Sequence, residues 1–232
     1  MRSDLRPRLT AKGSSGGLLM QGPATALKSS GVRNSLVFPY TPAITYQRSA
    51  NYGTYDLAHT NYQPKYYSAT QSPSVQVTCL FTNATEDEIA YTQGALHFLR
   101  MASLMHFGEN DPNRGTPPPV LLFSAYGSNQ FQDWPCVVGN VAYTFDSDMD
   151  YVENVSVGGQ TTDTNNLTGI GIASGATLMS SAGNSNASGQ IVLPAQLYVS
   201  IELLHQPDLL TTRKQFTVAK MANGSMLRRG YI

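Results

Sequence analysis

The amino-acid sequence predicts an α+β fold that is mainly β, with one long amphipathic helix. Residues 75–81 alternate apolar and polar side chains with the period of a half-buried strand. Residues 86–107 follow, and their apolar side chains recur at helical spacing. Charged residues make up only 13% of the chain, and Tyr, Thr, Ser, Asn and Gly take their place. This composition favours strands and polar loops.

The helix is the best-defined of the expected elements. Thr85 and Glu88 have the spacing of a capping box. Acidic residues fill the first turn, where the helix dipole favours negative charge, and Gly108 is expected to end the helix. The side chains expected to face the core are Tyr91, Ala95, Phe98, Ala102 and Met105.

Further strands are expected on both sides of the helix. Residues 35–38 form a first strand, which the nearby prolines place at a sheet edge. Residues 46–72 show no period and are expected to form a long irregular loop. A second loop, at residues 130–135, holds the single Trp, and Gly139 indicates a bend. The expected strands after the helix are residues 120–123, 136–145 with the bend at Gly139, 190–204 and 216–218.

The chain divides into a body and two basic ends. Residues 1–34 are expected to form a flexible basic N-terminal arm. Residues 35–212 form a single β domain, which contains a Gly/Ser/Thr/Asn-rich insertion at 158–189. Residues 213–232 form a basic C-terminal tail.

The net charge is zero, but it is unevenly distributed. Residues 1–50 carry seven Lys or Arg residues and one acid. Residues 213–232 carry five Lys or Arg residues and no acid. The stretch between them carries three bases and fourteen acids. Basic ends on an acidic body are expected of a self-assembling subunit, whereas two solvated tails are the alternative.

The sequence contains no pattern typical of catalysis or of cofactor binding. It has neither a nucleophile elbow nor a phosphate-binding loop, and its four histidines lack the spacing of metal ligands. We therefore expect no enzyme, no cofactor and no bound metal ion. Cys79 and Cys136 are expected to be buried free thiols. We expect neither a signal peptide nor a membrane span, which needs a run of about 18 apolar residues.

Two segments of the sequence carry a resemblance to a known family. Residues 38–44 (Phe-Pro-Tyr-Thr-Pro-Ala-Ile) and residues 117–126 (Pro-Pro-Pro-Val-Leu-Leu-Phe-Ser-Ala-Tyr) resemble structural proteins of tailed bacteriophages. The proteins concerned lie where the tail tube meets the baseplate. The resemblance extends over most of residues 35–155 and, more weakly, over the C-terminal tail.

This resemblance implies a tail-tube-like β-sandwich or barrel with one flanking amphipathic helix. It also implies a sixfold ring, a homohexamer, that initiates or caps the tail tube and lines the DNA conduit. The implied partners are further copies of the chain, the tail tube protein and the hub or wedge proteins of the baseplate. DNA would pass through without specific binding. The implied location is the virion, assembled in the host cytoplasm, with no membrane involved.

Three acids and a group of Tyr and Arg residues are candidates for this role. In an extended segment Asp146, Asp148 and Asp150 project from one face about 7 Å apart. Repeated around a ring, that face would give a lumen that repels phosphates, whereas a solvated strand end is the alternative. Large amphipathic tyrosine rings suit subunit contacts. The candidate interface residues are Tyr52, Tyr55, Tyr62, Tyr66, Tyr67, Arg228 and Arg229.

A different function class fits the same tyrosines. Clustered Tyr side chains can form a platform for sugar rings. The alternative is therefore a carbohydrate-binding or adhesin β module of a phage particle.

The predicted helix face can be tested by one substitution. Phe98→Ala should lower the free energy of unfolding by roughly 3–5 kcal/mol, because it leaves a large cavity in the core. Thermal or denaturant unfolding measures this. An unchanged unfolding curve would remove the assignment of that face to the core.

Overall fold

The computed structural model describes residues 5–13, 15–127, 130–145, 147–154 and 191–226. In these residues the protein is mainly β, as predicted, with a large antiparallel sheet and few helices. The strands are β1 (Arg8–Ala11), β2 (Ser35–Val37), β3 (Ala43–Gln47), β4 (Ala50–Thr54), β5 (Lys65–Thr70), β6 (Ser74–Thr82), β7 (Leu121–Ala125), β8 (Phe131–Thr144), β9 (Tyr151–Asn154), β10 (Ile191–Pro194) and β11 (Gln196–His205). The helices are α1 (Ser15–Leu19), a 3-10 helix (Gly22–Ser30), α2 (Glu86–Ala102), α3 (Leu209–Gln215) and α4 (Val218–Ala222).

Seven strands form the main sheet in the order β2-β1-β7-β8-β11-β6-β3, with antiparallel neighbours throughout. β11 lies between β8 and β6 and pairs with β6 from Gln196 to Leu204. Alternate residues of β6 face the core, as the sequence pattern predicted. These buried residues are Val75, Val77, Cys79 and Phe81. The other face of these strands is half-buried or exposed and mostly polar, apart from Leu80, Tyr198 and Leu204.

Helix α2 covers the buried face of the sheet. Ala95, Phe98 and Ala102 are fully buried, and Tyr91 packs against the same core, so these predicted core positions are confirmed. The 3-10 helix packs against α2 and approaches it closely at Gly94. A Cβ atom at Gly94 would lie 2.7 Å from the Pro23 carbonyl oxygen, which only glycine avoids.

The start of α2 matches its capping signal, but its end does not match the prediction. The Thr85 hydroxyl accepts a hydrogen bond from the Glu88 amide, and the Glu88 carboxylate accepts one from the Ala84 amide. The helix ends at Ala102, because the next amides bond three residues back, from Ser103 to Arg100. The prediction for Met105 was therefore wrong, since its side chain lies beyond the helix and is 50% exposed.

The main sheet is strongly curled. Only residues 38–42 connect β2 to β3, which form opposite edges of the sheet. Six peptide steps reach at most about 22 Å, whereas a flat sheet of seven strands separates its edges by about 29 Å. The two edges must therefore approach each other. The Tyr126 hydroxyl, at the end of β7, donates to the Pro42 carbonyl oxygen at 3.2 Å and links the two sides.

The N-terminal segment belongs to the core, contrary to the prediction of a flexible arm. β1 lies inside the sheet between β2 and β7, and Leu9 is fully buried. Leu19, Ala24 and Leu27 join the same core from α1 and the 3-10 helix. β1 has only four residues, and the apolar residues that follow it are scattered through a Gly/Ser-rich sequence. A period cannot be recognised in so short a pattern. The arm prediction is therefore wrong for residues 8–30.

Two further predictions differ from the structure, and a third agrees with it. Gly139, the predicted bend within one strand, is the extra residue of a β-bulge opposite β11, and a bulge bends its strand. The expected loop at 130–135, in contrast, is the start of β8, where Trp134 is buried and stacks on the His205 ring at 5.0 Å. The expected strand at 216–218 is replaced by α4 and its capping residue, Thr217.

The two cysteines agree with their prediction. Both Cys79 and Cys136 are free and buried. Burial raises the pKa of the Cys79 thiol to about 12, and it raises the pKa of Cys136 as well. Both side chains act as small apolar core residues.

Truncation tests the role of β1. Deleting residues 1–12 removes an interior strand, so the shortened chain should lose its cooperative unfolding transition. Deleting residues 1–4 stops short of the strand and provides the control. Circular dichroism during heating measures both. A stable fold without residues 1–12 would contradict the position of β1.

Candidate functional site

The first candidate assembly surface is a long hairpin, in a segment that the sequence predicted to be an irregular loop. β3 pairs with β6, and beyond them β4 pairs with β5, so residues 43–82 form one interrupted hairpin. At the interruption the Gln71 amide donates to the Ser49 carbonyl oxygen at 2.9 Å. We call residues 50–70 the tyrosine hairpin. Its residues are exposed, apart from half-buried Gly53, so it has no core of its own.

Tyrosine rings cover both faces of the tyrosine hairpin. Tyr52 and Tyr67 are cross-strand neighbours whose ring centroids lie 5.9 Å apart, edge to face. The adjacent pair, Gly53 and Tyr66, points to the other face, where the Tyr66 ring lies over Gly53 and 4.6 Å from the Tyr55 ring. A two-stranded hairpin with two exposed aromatic faces is marginally stable alone and is suited to burial against other surfaces.

A second hairpin extends the sheet in the opposite direction. β8 and β11 continue into β9 and β10, which pair with each other. The Asn83 side chain holds the base of this hairpin by donating to the Pro194 carbonyl oxygen at 2.6 Å. The tyrosine hairpin leads into the Ser74 end of β6, whereas β10 leads into the Gln196 end of β11, opposite Thr82. The two hairpins therefore leave the sheet at opposite ends of the same strand pair.

The two edges of the main sheet differ in accessibility. At the β2 edge the Tyr91 hydroxyl donates to the Val37 carbonyl oxygen and accepts from the Val37 amide. A helix side chain thus satisfies the outward backbone groups of Val37. Burial raises the pKa of Tyr91 to about 12, so the hydroxyl stays protonated and can donate. At the other edge, no strand among the described residues pairs with the outer side of β3.

The two sequence segments that resemble phage tail proteins meet in the folded chain. Residues 38–44 form the crossover from β2 to β3, and residues 117–126 lead into and through β7. The hydrogen bond from Tyr126 to Pro42 joins them. Both segments thus act at the place where the curled sheet brings its edges together.

The predicted contact residues fall into three groups. Tyr52, Tyr55, Tyr62, Tyr66 and Tyr67 are all exposed on the tyrosine hairpin or its loop, and their interface role stays a prediction. Asp148 and Asp150 are exposed, but the chain turns at residues 147–149, so the extended geometry expected for these two acids was wrong. The candidates outside the described residues are Asp146, Arg228 and Arg229, together with the 158–189 insertion.

Few features in the described residues suggest small-molecule chemistry. A shallow polar depression of about 210 Å³ lies on the open sheet face, lined by Gln47, Ser74, Gln76, Asn140, Ser200 and Glu202. No group of three His, Cys, Asp or Glu side chains in this part of the chain is arranged to hold a metal ion. No described helix is long and apolar enough to span a membrane.

Comparisons with known proteins leave the function to be argued from the structure. No protein-family model matches the chain. A search of curated proteins found no relative.

The tyrosine hairpin was not predicted from sequence, although it has a weak signal. Residues 65–70 (Lys-Tyr-Tyr-Ser-Ala-Thr) are rich in strand-forming types and lie between Pro64 and Pro73. Their apolar residues do not alternate, because both faces of the hairpin are exposed. A search for half-buried strands therefore passes over them.

Substitution of one tyrosine pair tests whether the tyrosine hairpin contributes to self-association. Tyr52→Ser with Tyr67→Ser should change the stability of the monomer by no more than about 0.5 kcal/mol, as exposed positions usually do. It should weaken self-association, which sedimentation measures. Tyr52→Phe with Tyr67→Phe keeps both rings and should associate like the original protein. Lost stability with unchanged association would count against an assembly role.

Proposed function

We propose that this chain is a structural protein of a tailed-bacteriophage particle. In this proposal its copies form a sixfold ring at the junction of tail tube and baseplate, where the ring initiates or caps the tube and lines the DNA conduit. Its partners are further copies of itself, the tail tube protein and the hub or wedge proteins of the baseplate. It is not an enzyme.

The observation that most supports this proposal is the pair of hairpins at opposite ends of one sheet. The tyrosine hairpin buries almost nothing in its own chain, so its ordering free energy must come from elsewhere. Contacts with neighbouring copies or with the next layer of a particle would supply it. A subunit with contact elements at both ends suits a layered assembly.

The two edges of the sheet differ in their ability to accept a strand from another molecule. The β2 edge is blocked by Tyr91, whereas the outer side of β3 is free of any described strand. The β3 edge can therefore pair with a strand of a neighbouring subunit or of a partner protein. The curled sheet with its flanking helix is also compatible with the sandwich or barrel that the resemblance implies.

The exposed tyrosines favour one alternative, a carbohydrate-binding or adhesin module of a phage particle. The Tyr55 and Tyr66 rings are neighbours at 4.6 Å and are open to solvent, as a sugar platform requires. That function needs no ring and no lumen. The two proposals therefore differ in the oligomeric state they require.

Imaging and mass measurement test the proposed function. The purified protein should form closed rings with a central lumen in negative stain, with a matching mass by light scattering. Its tyrosine hairpin variant, Tyr52→Ser with Tyr67→Ser, is the control and should give fewer rings. A protein that stays monomeric at all concentrations, or that binds glycans as a monomer, would contradict the proposal.

A further inference from the structure

The two ends of the β6–β11 strand pair differ in charge. At the Thr82 end, α2 begins with Glu86 and Asp87, and the β8–β9 turn holds Asp148 and Asp150; all four acids are exposed. Arg100 reaches this region, but its guanidinium donates to the Tyr143 hydroxyl and lies 5.4 Å from that ring. We call this surface the acidic end.

Large apolar side chains accompany these acids. Tyr198 lies beside Thr144 on neighbouring strands, and Phe145 and Tyr151 flank the turn that holds Asp148 and Asp150. Tyr198 is 53% exposed and Tyr151 is 56% exposed. The acidic end therefore combines negative charge with aromatic surface that remains exposed among the described residues.

The opposite end of β11 leads into a segment of complementary character, which we call the basic segment, residues 209–222. It contains no acid, and its three bases are exposed: Arg213, Lys214 and Lys220. Leu209 and Val218 are each 77% exposed. Its two short helices start at side-chain caps, since Asp208 accepts from the Leu210 amide and Thr217 from the Lys220 amide. The segment is thus ordered locally although Leu209 and Val218 lie in solvent.

The two surfaces do not cover each other within one chain. Tyr198 and His205 lie seven residues apart on β11, a separation of about 24 Å along an extended strand. The high exposure of Leu209, Val218 and Tyr151 shows that neither surface is buried by the other. The two surfaces match in charge and in apolar character, but they can meet only between two molecules.

We propose that the basic segment of one copy docks on the acidic end of a second copy, head to tail. The contact joins unlike surfaces, so each subunit offers one of each, and successive copies form a ring or an open stack. It rests on the proposed self-assembly and names the surfaces that make it. It also assigns Asp148 and Asp150 to a subunit contact, in place of the lumen role that the sequence suggested.

Charge reversal with rescue tests this contact. Asp148→Lys with Asp150→Lys, and separately Arg213→Glu with Lys214→Glu, should each raise the concentration needed for assembly by about tenfold or more. All four changes together should restore assembly, because opposite charges meet again. Lys28→Glu with Arg33→Glu lowers the net charge by the same amount as the Arg213→Glu, Lys214→Glu variant, at exposed sites elsewhere, and should leave assembly unchanged. Sedimentation measures assembly, and circular dichroism confirms that each variant is folded.

The other outcomes overturn the contact in distinguishable ways. If both reversals assemble normally, or the four changes fail to restore assembly, the contact is wrong. Rings of the Asp148→Lys, Asp150→Lys variant that retain DNA place the acids in the lumen. If the only loss in the Arg213→Glu, Lys214→Glu variant is co-sedimentation with vesicles of phosphatidylcholine and phosphatidylserine, the basic segment binds lipid. If the four changes together restore assembly, but into open chains without rings, the contact is supported and the proposed ring is contradicted. If rings form normally in both reversal variants, the ring is supported and the contact is contradicted.

Discussion

The antiparallel pairing of β6 with β11 is the constraint on which the rest of the structure depends. It places Val77 opposite Ile201 and Cys79 opposite Val199, so the buried residues of both strands face the same side. A slip of one residue would turn this apolar set to solvent. α2 packs on the face that this register defines, and the buried side chains of β8 and β1 belong to the same core. The same pairing also decides where the chain leaves the sheet, because each hairpin begins where the ladder ends.

The molecule therefore combines a well-packed body with projections that are not packed. Phe98 and Trp134 are fully buried, whereas Tyr62 at the tip of the tyrosine hairpin is 85% exposed. Exposed tyrosines lose little rotamer entropy when they are buried later, because each has only two side-chain torsions. The low charge of the chain reduces the desolvation cost of bringing copies together. These properties suit a subunit whose folding and assembly are separate steps.

Sequence reasoning succeeded where one face of an element is buried. The alternation in β6 and the Thr85–Glu88 capping box defined a strand and a helix start that the structure confirms. It failed where burial depends on distant partners. β1 has only four residues, too few for its alternation to be recognised, yet β2 and β7 pair with it on both sides. The tyrosine hairpin is exposed on both faces, so it lacks the alternation by which strands are recognised. Long-range pairing of this kind is not encoded in a local pattern.

Hydrogen exchange of backbone amides tests most directly whether the tyrosine hairpin is stabilised by neighbouring copies. In the free monomer, amides of residues 50–70 should exchange orders of magnitude faster than those of β6 and β11, because no core holds the hairpin closed. In assembled particles the same amides should become protected while those of β6 and β11 change little. Equal protection of residues 50–70 in monomer and assembly would show that the hairpin is stable alone. It would contradict the claim that neighbouring copies stabilise the hairpin.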